Sequence, residues 1–117
     1  MPKILIKTPE QIAWIRKAGK LTSMTLDMIE KYILPWVSTL ELDQIIHTFV
    51  IQNGGVSATV DYLGNNKWGK SPNAYKHASC ISLNDVICHG IPKKDTLLQE
   101  WDIDNGCDID IEYVSFF

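Results

Sequence analysis

The residues best suited to chemistry lie in one stretch, Ser79-Cys80-Ile81-Ser82-Leu83-Asn84-Asp85-Val86-Ile87-Cys88-His89-Gly90-Ile91-Pro92. It reads as strand, tight turn, strand, with Asn84-Asp85 as the turn. His89 closes the second strand, and Gly90 and Pro92 follow it. That places an imidazole at the rim of a sheet, where the backbone turns away and a substrate can approach. An unperturbed pKa of about 6.5 lets such a ring donate or accept a proton near neutral pH. On pattern alone, a hairpin with an incidental histidine competes evenly with this reading.

A two-residue turn sets a register. Leu83 would face Val86, Cys80 would face His89, and Cys88 would pair with Ile81. Successive side chains alternate faces, so Cys80 and Cys88 fall on opposite sides and a disulfide between them is disfavoured. Cys80 beside His89 could form a Cys–His nucleophile pair. A small thiol packed beside a pocket is the simpler reading. Near the other end stand Asp102, Asp104, Asp108 and Asp110. Asp108 and Asp110 share a strand face at period two. A solvated acidic strand end accounts for these residues, and they are out of register with a calcium-binding EF-hand loop. His47 falls off the apolar stripe of its helix and is expected at the surface. His77 is expected to be a plain surface histidine, with a peripheral substrate role as the alternative.

Asn84-Asp85-Val86-Ile87-Cys88-His89-Gly90-Ile91-Pro92 resembles the N-E-V-V-C-H-G-I-P block of type I methionine aminopeptidases. Other segments agree in order. Ile6-Lys7-Thr8-Pro9-Glu10-Gln11-Ile12 and Arg16-Lys17-Ala18-Gly19-Lys20-Leu21 resemble the family's opening helix. Val37-Ser38-Thr39-Leu40-Glu41-Leu42-Asp43 resembles the start of its second helix. Val56-Ser57-Ala58 and Tyr62-Leu63-Gly64 resemble the stretch before the hairpin. The resemblance runs from about residue 4 to about residue 105. It implies the N-terminal half of a pita-bread fold, an α/β (α+β) arrangement of two helices packed on a curved antiparallel sheet. Residues 1–117 would form a single domain, truncated relative to the family's catalytic domain. Prolidase- and creatinase-type enzymes share that fold but usually carry a large extra N-terminal domain.

The resemblance also implies a chemistry, metal-dependent removal of the N-terminal methionine from newly made proteins. Nascent polypeptide N-termini would be the substrate. Divalent ions (Co, Mn, Fe or Zn) would activate a bridging water. The position matching His89 is a substrate-contacting, catalytic residue in the family, not a metal ligand. Tyr62 and Tyr75 match aromatics that line the pocket for the methionine side chain. The metal site departs from the family pattern. Where the family has G-D-I-V-N-I-D-V-T, this chain has Trp101-Asp102-Ile103-Asp104-Asn105-Gly106-Cys107-Asp108-Ile109-Asp110. Without a gap Cys107 takes the first ligand position; with a one-residue shift Asp108 takes it. The remaining ligands would lie beyond Phe117. The chain is therefore expected to be inactive alone. The alternative function is a non-catalytic remnant that folds and self-associates.

These residues need elements to position them. Thr8 can cap a helix with Pro9 at its first position and Gln11 completing a capping box. Ile12, Ile15, Gly19, Thr22, Leu26 and Ile29 fall on one face, and the helix is expected to run from Pro9 to about Tyr32, stopped by Pro35. Ser38 and Glu41 form a second capping box. Leu42, Ile45, Ile46 and Phe49 give the apolar stripe of a shorter helix, ended by Asn53-Gly54-Gly55. Residues 56–62 read as a strand. Residues 64–74 read as a loop insertion, with Trp68 pinning it to the body. Asp104 and Gly106 weaken the propensity of the last strand. That strand ends in an apolar edge that invites pairing with another chain, so poor solubility or a homodimer is expected.

Composition fits one globular domain. The chain has 117 residues, 45% hydrophobic and 21% charged, with net charge -3. It can build one core and not two. The mild charge gives no case for nucleic-acid binding. No apolar run approaches the roughly 20 residues that span a bilayer, so no membrane partner is expected. Three cysteines without CxxC spacing suit a reduced compartment, and a cytoplasmic location follows as the expectation.

Overall fold

The computed structural model describes residues 3–60, 65–66, 69–70, 74–102, 104–109 and 111–113, with the strands among 65–70 and 104–113 described by their backbone. Helix α1 spans Pro9–Ile29 and tightens into a 3-10 turn at Glu30–Tyr32. Its start follows the expected chemistry. The Thr8 hydroxyl accepts from the Gln11 N–H at 3.2 Å, and the Gln11 side chain accepts from the Thr8 N–H at 2.9 Å. Helix α2 spans Thr39–Gln52, and the Ser38 hydroxyl accepts from the Glu41 N–H at 3.0 Å, which is the forward half of the expected capping box without the return bond seen at Thr8. Gly54, at φ 80, ends it in the left-handed conformation that glycine adopts without steric cost.

Strand β1 is Gly55–Ser57, shorter than the expected 56–62. Residues 65–66 and 69–70 form a small antiparallel ladder, β2 with β3, inside the stretch expected to be a loop. Trp68 and Tyr62 lie outside the described residues. Strand β4 is Ser79–Leu83, β5 is Asp104–Ile109 and β6 is Ile111–Tyr113. The run β5–β6 pairs antiparallel first with β4 (Ser79 opposite Ile109) and then with β1 (Gly55 opposite Tyr113). One stretch of chain thus ties the hairpin region to the strand that follows α2. Asp104 and Gly106 take part despite poor strand propensity, because pairing with β4 supplies what the local sequence lacks.

The core lies where α1, α2 and β4 meet. Leu21, Ile29, Leu42, Ile46, Val50, Ala78, Ile81 and Leu98 are buried there. The α1 stripe differs from the expected one. Leu21, Thr25 and Ile29, at spacing four, face inward, whereas Ile12, Ile15 and Leu26 stand 40%, 48% and 43% exposed. The buried Thr25 hydroxyl is satisfied within the helix, donating to the Leu21 carbonyl at 2.7 Å. Helix α1 carries two apolar stripes, and hydropathy alone does not say which one meets the core. The α2 stripe is close to the expectation, with Leu42 and Ile46 buried and Ile45 and Phe49 packed against them.

Residues 93–102 cross the start of α2. The Thr39 and Leu40 N–H groups donate to the Thr96 and Lys93 carbonyls at 3.0 and 3.3 Å. Trp36 and Val37 exchange main-chain bonds with Leu98 of this crossing (Trp36 N–H to Leu98 C=O at 2.7 Å, Leu98 N–H to Val37 C=O at 2.8 Å). The free N–H groups of the helix end are thereby satisfied by a neighbouring segment. No helix of the described residues is long and apolar enough to cross a membrane.

Candidate functional site

The Asn84-Asp85 turn forms as expected. Asn84 has φ 54, and the Val86 N–H donates to the Leu83 carbonyl at 3.0 Å. The second strand does not form. Residues 86–92 run irregularly beside β4, and β5 takes the ladder instead. The contact back to β4 is the Ile81 N–H donating to the Gly90 carbonyl at 2.8 Å, with the Gly90 N–H donating to the Ser82 hydroxyl at 2.9 Å. Gly90, not Cys88, therefore meets Ile81, two positions away from the register of an ideal hairpin.

The cause is local. His89 has φ 56, outside the extended region that a strand needs. Histidine is among the residues that tolerate this conformation better than most. Gly90 then passes over β4 so closely that an added Cβ would sit 2.0 Å from the Ile81 carbonyl oxygen and 2.9 Å from the Ser82 Cα. Only glycine allows that approach. Two bonds fix Gly90, and the fixed Gly90 holds the exposed His89 at the rim. Non-glycine residues in this backbone region concentrate at functional sites.

Tyr75 stands next to β4. Its hydroxyl donates to the Ser79 carbonyl at 2.7 Å and receives the Cys80 thiol at 3.5 Å. Burial, then the hydrogen bond and charge of Cys80 and the Asp43 carboxylate, push the phenol above its ordinary pKa. Tyr75 therefore stays a neutral donor at any physiological pH. Cys80 is half-buried and Cys88 exposed, both as free thiols. The structure brings Cys80 to Tyr75 rather than opposite His89. Asp108 is the residue opposite Cys80 in the β4–β5 register. His89, Tyr75 and Asp108 thus all attach to the Ser79–Ser82 stretch, through Gly90, a tyrosine hydroxyl and a strand pairing respectively.

Beneath this stretch is a polar clamp that the sequence reading missed. The buried Asp43 of α2 accepts from the Ala78 N–H at 3.0 Å and the Ser79 hydroxyl at 2.6 Å. Its other oxygen lies 3.4 Å from His77 Nδ1. The His77 ring meets Tyr75 edge-on with centroids 5.4 Å apart. Ser57 donates to the Ala78 carbonyl and Thr59 to the His77 carbonyl, at 3.1 and 2.8 Å. His77 is thus a tethered residue and not a plain surface one. His47 is half-buried rather than exposed. The available signal was Asp43 itself, a carboxylate between Leu42 and Ile46 on the buried face of α2. Such a group requires partners.

Among the described residues, no three His, Cys, Asp or Glu side chains converge as metal ligands would. Asp108 is placed by its backbone alone. The described side chains alone do not make a metal centre.

The model of metallopeptidase family M24 matches residues 13–115. The methionine aminopeptidase of Escherichia coli (strain K12) is 44% identical over 103 residues, covering 87% of this chain and 35% of that protein. The methionine aminopeptidase of Buchnera aphidicola subsp. Schizaphis graminum is 41% identical over 101 residues, covering 86% of this chain and 35% of that protein. Among solved structures, the methionine aminopeptidase of Thermotoga maritima superposes with TM-score 0.82 at 28% identity, covering 96% of this chain and 41% of that one. That of Rickettsia prowazekii gives 0.79 at 32% identity, covering 93% and 39%. The chain spans about a third of the length of these curated relatives, and its two helices and short strands match part of their fold. It belongs to metallopeptidase family M24.

Proposed function

We propose that this chain serves the removal of N-terminal methionine from newly made proteins, supplying a wall that meets the substrate's first peptide bond. The observation that carries this reading is the exposed His89 in a left-handed backbone, held by Gly90 against β4. In this role the imidazole donates to the scissile carbonyl as charge develops on its oxygen. Tyr75 and Tyr62 are both assigned by resemblance to the recess for the methionine side chain, and the Tyr75 phenol stays protonated there. The substrate is a nascent polypeptide N-terminus, and the setting is the cytoplasm. Divalent ions such as Co, Mn, Fe or Zn would supply the activated water of this reaction, as the resemblance implies. Asp108 is the candidate this chain offers them.

A second reading takes the described residues alone, among which no three candidate ligands converge. Here the chain, a single domain, is inactive and self-associates through a strand edge. Methionine release from a Met-Ala dipeptide, with Mn(II) or Co(II) added, separates the two. Turnover that His89→Ala lowers by at least about a hundredfold supports the enzyme reading. No release from the pure, folded protein leaves the second reading.

A further inference from the structure

The charge of this chain is unevenly spread. Lys3, Lys7, Arg16, Lys17 and Lys20 stand against the single acid Glu10 within residues 3–20, a net of +4. The whole chain carries -3, so residues 21–117 with their neighbours to residue 1 carry -7. Mild overall acidity hides a basic end.

The same residues expose apolar surface. Ile4, Leu5 and Ile6 are 87%, 76% and 90% exposed in an extended segment ahead of α1. The outward stripe of α1 adds the exposed Ile12 and Ile15, and a Cβ on Gly19 would meet nothing within 4 Å. At 100° per residue, Arg16 and Lys20 form a stripe directly beside Ile12 and Ile15. The opposite side of the helix is fixed to the core through Leu21, Thr25 and Ile29. Lys17 lies over the Trp14 ring at 4.4 Å. Among the described residues, Lys3, Lys7, Arg16 and Lys20 pair with no carboxylate.

We propose that residues 3–20 form a docking surface for an anionic lipid bilayer, with Ile4–Ile6, Ile12 and Ile15 entering the headgroup boundary and Lys3, Lys7, Arg16 and Lys20 meeting lipid phosphates. The pairing of apolar and basic stripes on one outward face is what an interfacial helix needs. Long cationic side chains can rest their stems on the apolar surface and place their charge at the headgroups. Nucleic acid would use the cations and leave the isoleucines without a partner. Asp27 and Glu30, near the far end of α1, repel an anionic surface, so contact is confined to the first turns and the segment before them. This assignment stands apart from the peptidase reading, because its readout needs no turnover.

The test is co-sedimentation of the whole chain with vesicles of phosphatidylcholine alone and of phosphatidylcholine mixed equally with phosphatidylglycerol. Binding is expected to the mixed vesicles only and to weaken with salt. Arg16→Glu with Lys20→Glu weakens it by about twenty-fold or more, from roughly fivefold per cation at such a surface. Ile12→Ser with Ile15→Ser weakens it at every salt concentration. Lys3→Glu with Lys7→Glu, outside any helix or strand, repeats the charge test without touching α1. Lys93→Glu with Lys94→Glu changes net charge equally elsewhere and leaves binding intact. No binding to mixed vesicles overturns the proposal, as does equal loss in the Lys93 and Lys94 variant. Binding of transfer RNA that ignores the isoleucine changes, without vesicle binding, overturns it in favour of a nucleic-acid surface.

Discussion

At the scale of single residues, Gly90 and Asp43 do the positioning and His89 is what they position. Gly90 is irreplaceable because main-chain atoms, which cannot swing aside, occupy the space of a side chain. Gly90→Ala is expected to cost about 3 kcal/mol and to displace His89 from the rim, seen as a lower melting temperature and shifted His89 amide resonances. Asp43→Ala leaves the Ala78 N–H and the Ser79 hydroxyl without their acceptor in a buried place. The expected cost is about 2–3 kcal/mol by denaturant unfolding, with Asp43→Asn costing less because one amide oxygen still accepts. Gly90 could be read as a turn glycine, and its true reason, a close backbone crossing, appears only in three dimensions.

At the scale of elements, the helices were legible and the sheet was less so. Thr8 with Gln11 and Ser38 with Glu41 marked both helix starts, because capping is decided within four residues of sequence. The strands depend on distant partners. β4 was visible, but its ladder partner β5 contains Asp104 and Gly106, which argue locally against a strand. The second arm of the hairpin looked extended in Val86-Ile87-Cys88, yet Ile87 is 87% exposed and the left-handed His89 ends any ladder. The link between the helices holds a further local misfit. Trp36 has φ 73 and is 68% exposed, so a bulky side chain sits where glycine is at ease and gains little burial in return. Trp36→Gly is expected to stabilise the fold by about 1 kcal/mol, raising the melting temperature by several degrees.

At the scale of the whole molecule, distant segments are joined by few but specific links. One is Asp102, whose carboxylate accepts from the Asn84 side chain at 2.9 Å and the Gln99 N–H at 2.8 Å. These two bonds, the Asn84 one first, hold its carboxyl below the ordinary aspartate pKa. A folded-state pKa below the unfolded one adds stability that is present above the unfolded pKa and lost as pH falls through the folded one. Acid titration of thermal stability should therefore show a decline below the ordinary aspartate range that Asp102→Asn flattens. The link also shows that the turn at residues 99–102 closes with Trp101 in it, without the glycine that the resemblance would place there. Ancestry, the helix pair and the hairpin turn could be read from sequence, because short motifs encode them. The clamp under β4, the inward stripe of α1 and the crossing at Gly90 could not, because each is a contact between residues far apart in the chain.

The central claim is that His89 and Tyr75 border a surface for a peptide N-terminus that begins with methionine. Amide-resolved NMR titration of the whole chain with a Met-Ala dipeptide tests it without requiring turnover. Shifts concentrated at Tyr75, Cys80, His89 and Gly90, absent with the N-acetylated dipeptide, are the predicted result. Shifts spread elsewhere, or none in that group at saturating dipeptide, would contradict it.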